Sequence, residues 1–173
     1  MITLDDLKAI CKHSSSGRLA VFVEPLNAAM AEFDIDTPPR QAHFLAQIAH
    51  ESGGFRYVRE LASGEAYEGR ADLGNTEPGD GKRYKGRGLI QITGRSNYAD
   101  CGAALGLDLL ASPELLESPD EAARSAAWFW KSRGLNALAD NGDARAITRR
   151  INGGINGLQD RLAYLALAQE QLT

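Results

Sequence analysis

Apolar residues recur along this chain mostly at the three-and-four spacing of an α-helix, not at the alternate positions of a strand. The first run follows Thr3: Leu4, Leu7 and Ile10 share a face, Thr3 can cap the helix, and Asp6 stands at the acidic capping-box position. His13-Ser14-Ser15-Ser16-Gly17 reads as a loop, Leu19 to Val23 is apolar, and Pro25 fits the first turn of a further helix carrying Leu26, Ala29, Met30 and Phe33. Asp36-Thr37-Pro38-Pro39 ends that helix and opens one running to about His50, with Ala42, Leu45, Ala46, Ile48 and Ala49 on its inner face. Gly53-Gly54 is a strong stop. A helix is predicted from near Ser96. Ser118-Pro119-Asp120-Glu121 is a full helix start, followed by Ala122, Ala126, Phe129 and Trp130 and ended at Gly134. Two more are predicted, from Asp143 to Ile151 and from about Leu158 to Leu172, the last carrying Leu162, Leu165, Ala166 and Leu167.

Two stretches break the pattern. Residues 63–83 are polar and glycine-rich, a long irregular segment of the kind that often carries function, and are expected to be the mobile edge of a cleft. Residues 84–95 hold Leu89, Ile90 and Ile92 between glycines, as a short hairpin or an extended turn. The pattern predicts a mainly α fold with a helical body and a smaller lobe over about 55–95, and the 173 residues suit a single domain spanning 1–173. The net charge of −4 argues against nucleic-acid binding by bulk charge. No run approaches the ~20 apolar residues of a membrane span. The N-terminus lacks the basic start and apolar middle of a signal peptide, so synthesis in a cytoplasm is expected. Cys11 and Cys101 read as buried thiols, with their pairing open. Tyr67, Tyr84 and Tyr98 suit core positions with hydroxyls reaching polar partners. Of Trp128 and Trp130, at least one belongs to the core.

Several chemistries fail on spacing. His50-Glu51 opens like a zincin motif, but Gly54 occupies the place of the second histidine. His13 and His43 have no partner at ligand spacing and read as structural. Gly86-Arg87-Gly88 lacks the third glycine of a dinucleotide loop. What remains is a pair of carboxylates. Glu51 ends the helix that precedes Gly53-Gly54, and an acid set at a helix C-terminus among apolar neighbours keeps its proton more readily, as a general acid must. Glu60 lies nine positions on, beyond a turn that lets the chain reverse. Two carboxylates in unlike surroundings are the minimum for glycoside hydrolysis. On spacing alone, two solvated surface carboxylates fit better.

Three blocks change that balance. His50-Glu51-Ser52-Gly53-Gly54-Phe55, then Tyr84-Lys85-Gly86-Arg87-Gly88-Leu89-Ile90-Gln91-Ile92-Thr93 with Asn97-Tyr98, then Ile151-Asn152-Gly153-Gly154 resemble, in order, the signature blocks of glycoside hydrolase family 19. That family holds chitinases and many phage endolysins. The resemblance runs from about residue 25 to the C-terminus, and the loops at 24–27 and 37–42 look closer to the phage and bacterial lysin-like branch. It implies a lysozyme-like, two-lobed helical fold and inverting hydrolysis of a β-1,4 bond in an N-acetylhexosamine polymer. By the same resemblance Glu51 matches the general acid and Glu60 the general base. Gln91, Thr93, Asn97 and Asn152 match residues that hold the sugar, Tyr98 is placed with them, and Arg161 matches a basic residue supporting the base. Asn152 also suits a plain helix end, and Gln91 and Thr93 suit ordinary one-face-polar patterning. The implied substrate is the peptidoglycan glycan strand. Chitin, an antibacterial wall-degrading effector role, and an inactive glycan-binding module are the alternatives, the last opposed by the intact carboxylate pair. No metal or cofactor is called for. A monomer is expected, with release by a holin as one route to the wall.

Overall fold

The computed structural model describes residues 1–172. Among them the order is α1 (Leu4–Ile10), α2 (Ser16–Glu32), α3 (Pro38–Glu51), α4 (Asp80–Arg83), α5 (Arg95–Leu105), α6 (Pro119–Ser132), α7 (Leu135–Asp140), α8 (Ala144–Asn152) and α9 (Leu158–Gln171), with short 3₁₀ turns at Glu65–Tyr67, Ala71–Leu73 and Pro113–Glu117. No helix among the described residues is long and apolar enough to cross a membrane.

The caps explain the boundaries. Thr3 and Asp6 exchange both bonds of a capping box, with Asp6 Oδ2 accepting from Thr3 N at 2.7 Å. Thr37 caps α3 ahead of two prolines, Ser118 caps α6, and Asp143 Oδ1 accepts from Ala146 N at 2.8 Å to start α8. Pro25 departs from the expectation: it sits inside one continuous α2, not in the first turn of a new helix. An interior proline costs about 3 kcal/mol in part because it orphans a carbonyl one turn back. Here that residue is Val21, which faces solvent, so water can satisfy the carbonyl while Phe22 and Leu26 are buried on the other side.

α3 is the axis of the molecule. Every residue from Ala42 to Ala49 is buried, and the helix packs against α9, α7 and α6. The buried face of α9 is not made of apolar residues alone. Arg161, Leu165 and Ala168, spaced at i, i+4 and i+7, are buried, while Leu162 and Ala166 face out. A charged residue holds a core position.

The segment 53–94 is built from turns, and the region 84–95 is two antiparallel bridges, Arg59 with Arg87 and Arg87 with Ile92. Residues 63–83 are more ordered than their composition suggests. The Glu68 carboxylate accepts from Gly79 N at 2.6 Å and Gly81 N at 2.8 Å. Asp80 receives both arms of Arg95 at 2.8 Å, and buried Asn75 bridges Tyr67 O and Arg95 N. Backbone polar groups that helices would pair internally are paired here by side chains. Cys11 and Cys101 are free and buried.

Candidate active site

Glu51 is the last residue of α3, and the chain then reverses sharply. Gly53, Gly54 and Phe55 all adopt left-handed backbone, at φ of 59°, 71° and 65°. That conformation costs a non-glycine residue roughly 1 kcal/mol or more. Phe55 is held in it by burial against Phe22, by its N–H donating to Ser52 Oγ at 2.8 Å, and by its carbonyl accepting from Arg18 Nε at 2.7 Å. The strained turn throws the chain back across the end of α3 toward Glu60.

The surroundings of Glu51 are not the apolar ones expected. Its Oε1 accepts from Arg161 Nη2 at 2.5 Å, so the group it faces is a guanidinium. Arg161 is 2% exposed. Its Nη1 donates to Gln47 Oε1 at 2.5 Å, and Gln47 Nε2 reaches Thr148 Oγ1 at 3.5 Å. A buried polar chain therefore runs Thr148–Gln47–Arg161–Glu51 and fixes the carboxylate at the mouth of the helix. Arg161 supports Glu51 and makes no bond to Glu60, and its burial takes it out of direct sugar contact. Gln47 and Thr148 were not anticipated. The one signal for Gln47 was a polar residue within the apolar run of α3.

Glu60 is placed beside the Arg59–Arg87 bridge, against Gly86. Its N–H donates to Gly86 O at 2.8 Å, and its Oε2 accepts from Gly86 N at 3.1 Å. Its Oε1 accepts from Tyr67 Oη at 2.9 Å. Tyr67, half-buried, is thus a partner of the site and not a core residue. Burial, and then the carboxylate it faces, hold the Tyr67 hydroxyl above its ordinary pKa, so it stays a donor. Gly86 is where the cleft converges. A Cβ there would lie 2.6 Å from Gln91 Oε1 and 3.3 Å from both Glu60 Oε2 and Thr93 Oγ1.

Glu51, Glu60 and Gln91 line one open cavity of about 350 Å³, together with Tyr57 and Arg59. Gln91 also lines an adjoining recess with Thr93, Asn97, Trp128 and Arg133. Asn97 Nδ2 donates to Thr93 O at 2.7 Å, and Gln91 Nε2 to Gly88 O at 3.1 Å. Of the two tryptophans, Trp130 is core, its indole donating to Asn136 Oδ1 at 2.8 Å, while Trp128 reaches the recess. Tyr98 does not reach it. Its ring is fully buried, and its hydroxyl donates to Lys85 O at 2.6 Å and accepts from Arg87 Nη1 at 3.0 Å. Arg87, between its two glycines, is held in an ion pair with Glu117 at 2.8 Å. Asn152 stands apart, exposed at the end of α8, off both recesses. His50 Nδ1 meets Asp160 Oδ2 at 2.6 Å.

Two carboxylates on one open cleft, with amides and hydroxyls along its floor, are the equipment of a glycosidase. The comparisons agree. Residues 27–140 match the family 19 glycoside hydrolase model described as chitinase class I. A Haemophilus influenzae protein described as glycosyl hydrolase family 19 domain-containing is 37% identical over 154 residues, which cover 70% of this chain and 74% of that one. An Arabidopsis thaliana endochitinase is 44% identical over 130 residues, 71% of this chain and 44% of its own. Chitinase C of Streptomyces griseus superposes with a TM-score of 0.80 at 26% identity, over 99% of this chain and 76% of that one. A class IV family 19 chitinase from Zea mays does so at 0.76 and 26%, over 99% and 92%. The chain belongs to glycoside hydrolase family 19, with the mainly helical lysozyme-like fold of that family. It spans less than half the length of the plant endochitinases it matches.

Proposed function

We propose that this protein hydrolyses β-1,4 bonds in the glycan strand of peptidoglycan, with Glu51 as general acid and Glu60 as general base. The observation that carries the acid–base reading is the placement of Glu51 and Glu60 on one cavity from two separate elements, each clamped by its own donors. Glu51 leaves Oε2 free to address the leaving oxygen. Glu60, oriented by Tyr67 and Gly86, draws a proton from a water on the other face of the sugar. Inversion follows when a water stands between the carboxylates. Gln91, Thr93 and Asn97 supply uncharged partners for acetamido and hydroxyl groups.

The peptidoglycan assignment is supported by charge. Arg59, 60% exposed in its side chain and 3.7 Å from Glu117, lines the cavity, and Arg133 lines the recess beside it. Such cations suit a glycan whose muramic acid residues carry acidic peptides, and have less to do on neutral chitin. Chitin is the second reading, favoured by the endochitinases among the relatives. Cytoplasmic synthesis with later release to the wall, through a holin or by delivery into a rival cell, completes the proposal. Mass spectrometry of digested peptidoglycan tests it. New reducing ends at N-acetylmuramic acid are expected. Intact peptidoglycan alongside cleaved chitin oligomers would overturn the assignment.

A further inference from the structure

The turn that reverses the chain after Glu51 has two faces. Tyr57 looks onto the cavity with Glu51 and Glu60. Gly53 and Arg56 look the other way, onto a separate groove of about 210 Å³ between the end of α1 and α9. Its floor is apolar, from Ile10, Tyr164 and Leu167. A shallower hollow of about 400 Å³ continues from it past Arg18, and the two share His13, Ser14 and Arg56.

The groove is preformed. Ser14 Oγ donates to Gly54 O at 2.7 Å, tying the α1–α2 loop to the turn. Gly54 has left-handed backbone, and a Cβ there would lie 2.5 Å from that same Ser14 Oγ, so only glycine permits the tie. Arg18 is fixed by its bond to Phe55 O and by its place over the Phe22 ring, 4.9 Å from the centroid.

The rim is cationic in a chain of net charge −4. Lys12, Arg18 and Arg56 make no ion pair with a carboxylate among the described residues, and they stand together on this one rim. The one acid lining the groove among the described residues, Asp160, is engaged by His50 at 2.6 Å. Lys12 and Arg56, exposed cations without a carboxylate partner on a preformed apolar trough, with Arg18 in the adjoining hollow, call for a ligand with small apolar side chains and free carboxylates.

We propose that this groove binds the peptide stem of peptidoglycan, and that the protein reads stem and sugar on the two faces of one turn. The inference rests on the peptidoglycan reading above. A stem is a short peptide rich in alanine methyls and free carboxylates, attached to alternate sugars of the strand. The methyls suit the Ile10–Leu167 floor, and the carboxylates suit Lys12 and Arg56. Four extended residues reach ~14 Å.

The test titrates the isotope-labelled protein with the free stem tetrapeptide, released from peptidoglycan by an amidase, and follows backbone amides by NMR. Shifts are expected at Lys12 to Ser15 and Gly53 to Arg56, and are expected to vanish in the double variant Lys12→Glu/Arg56→Glu. Both side chains are exposed, so the double variant retains its fold. Shifts confined to Gln91–Asn97, undiminished binding by the double variant, no binding, or equal shifts from sulfate at matched ionic strength would each overturn the proposal. A second arm compares turnover of peptide-bearing strands with strands stripped of peptide. The double variant loses roughly tenfold on the first, the scale of two exposed pairs lost and two repulsions gained, and nothing on the second. An equal loss on both would also overturn it. If the wild-type protein cleaves neither polymer, the peptidoglycan reading fails on its own, and the peptide titration still decides the groove.

Discussion

Gly86 allows the site to be disturbed without deleting any functional group. Its backbone is not left-handed, so alanine meets no conformational barrier there. The added carbon would stand 2.6 Å from Gln91 Oε1 and 3.3 Å from Glu60 Oε2 and Thr93 Oγ1. Ordinary contact begins near ~3.5 Å, so the Gln91 amide must swing by about 1 Å and Glu60 by a few tenths. Gln91 then gives up its bond to Gly88 O, a net loss of about 1 kcal/mol. Alanine recovers a similar amount by restricting the unfolded chain, roughly 0.4–1 kcal/mol. The melting temperature should therefore move by no more than about 3 °C. Catalysis has no such offset. A misplacement of about 1 Å in a positioning group costs on the order of 10²-fold in rate. The assay pairs a thermal melt with kcat/KM on a soluble β-1,4 N-acetylglucosamine oligomer. Gly86→Ala with unchanged melting and activity within about twofold of wild type would refute the convergence of Gln91, Thr93 and Glu60 on the reacting sugar.

Other outcomes follow from the same contacts. Arg161→Met leaves Gln47 Oε1 and Glu51 without their donor; breaking such a pair costs about 3–5 kcal/mol, and with Glu51 22% exposed the lower figure applies. A melting temperature lower by roughly 6–12 °C is expected at that cost, with Arg161→Lys recovering only part because an ammonium lacks the planar fork; unchanged melting of Arg161→Met would contradict it. Hydrogen exchange should find the Gly79, Gly81 and Arg95 amides protected, and Glu68→Ala should release the first two but not the third; rapid exchange at all three in the wild type would restore the mobile-edge picture. Burial pushes the Cys11 and Cys101 thiols up to about 12, which disfavours the thiolate throughout the range below that pH. At pH 8 only about one thiol in 10⁴ is then ionised, so iodoacetamide should label the folded protein far more slowly than the urea-unfolded one, and similar rates would show the thiols to be open.

The helical body was legible because its signals are local. Thr3-Asp6, Thr37-Pro38 and Ser118-Glu121 are caps that act within one turn, and Gly53-Gly54 is a stop that acts in place. The carboxylate pair and the Gln91–Asn97 stretch were legible as wording shared with a family, not as geometry. What stayed hidden depends on distant partners. Arg161 pairs with Glu51 across 110 positions, and Gln47 with Thr148 across 101, so no window along the chain reveals them. Because Arg161 is charged, apolar spacing alone does not find the buried face of α9. Pro25 misled because the cost of an interior proline depends on whether the freed carbonyl meets water, which the sequence does not state. Residues 63–83 look mobile by composition, yet their backbone groups are met by Glu68, Asn75 and Asp80 from within, and Arg95 of α5 holds the Asp80 carboxylate.

The central claim is that Glu51 and Glu60 act on opposite faces of one sugar. The most direct measurement is proton NMR of the anomeric signals during the first minutes of hydrolysis of a β-1,4-linked N-acetylhexosamine oligomer, with enough enzyme to outrun mutarotation. The account predicts that the new reducing end appears first as the α-anomer, and that Glu51→Gln and Glu60→Gln each slow its appearance by about 10²–10⁴-fold while the protein melts as a folded chain. Prompt appearance of the β-anomer would mean a double displacement, through a carboxylate or through the sugar's own acetamido group, and either that result or a Glu60→Gln variant of normal rate would contradict the account.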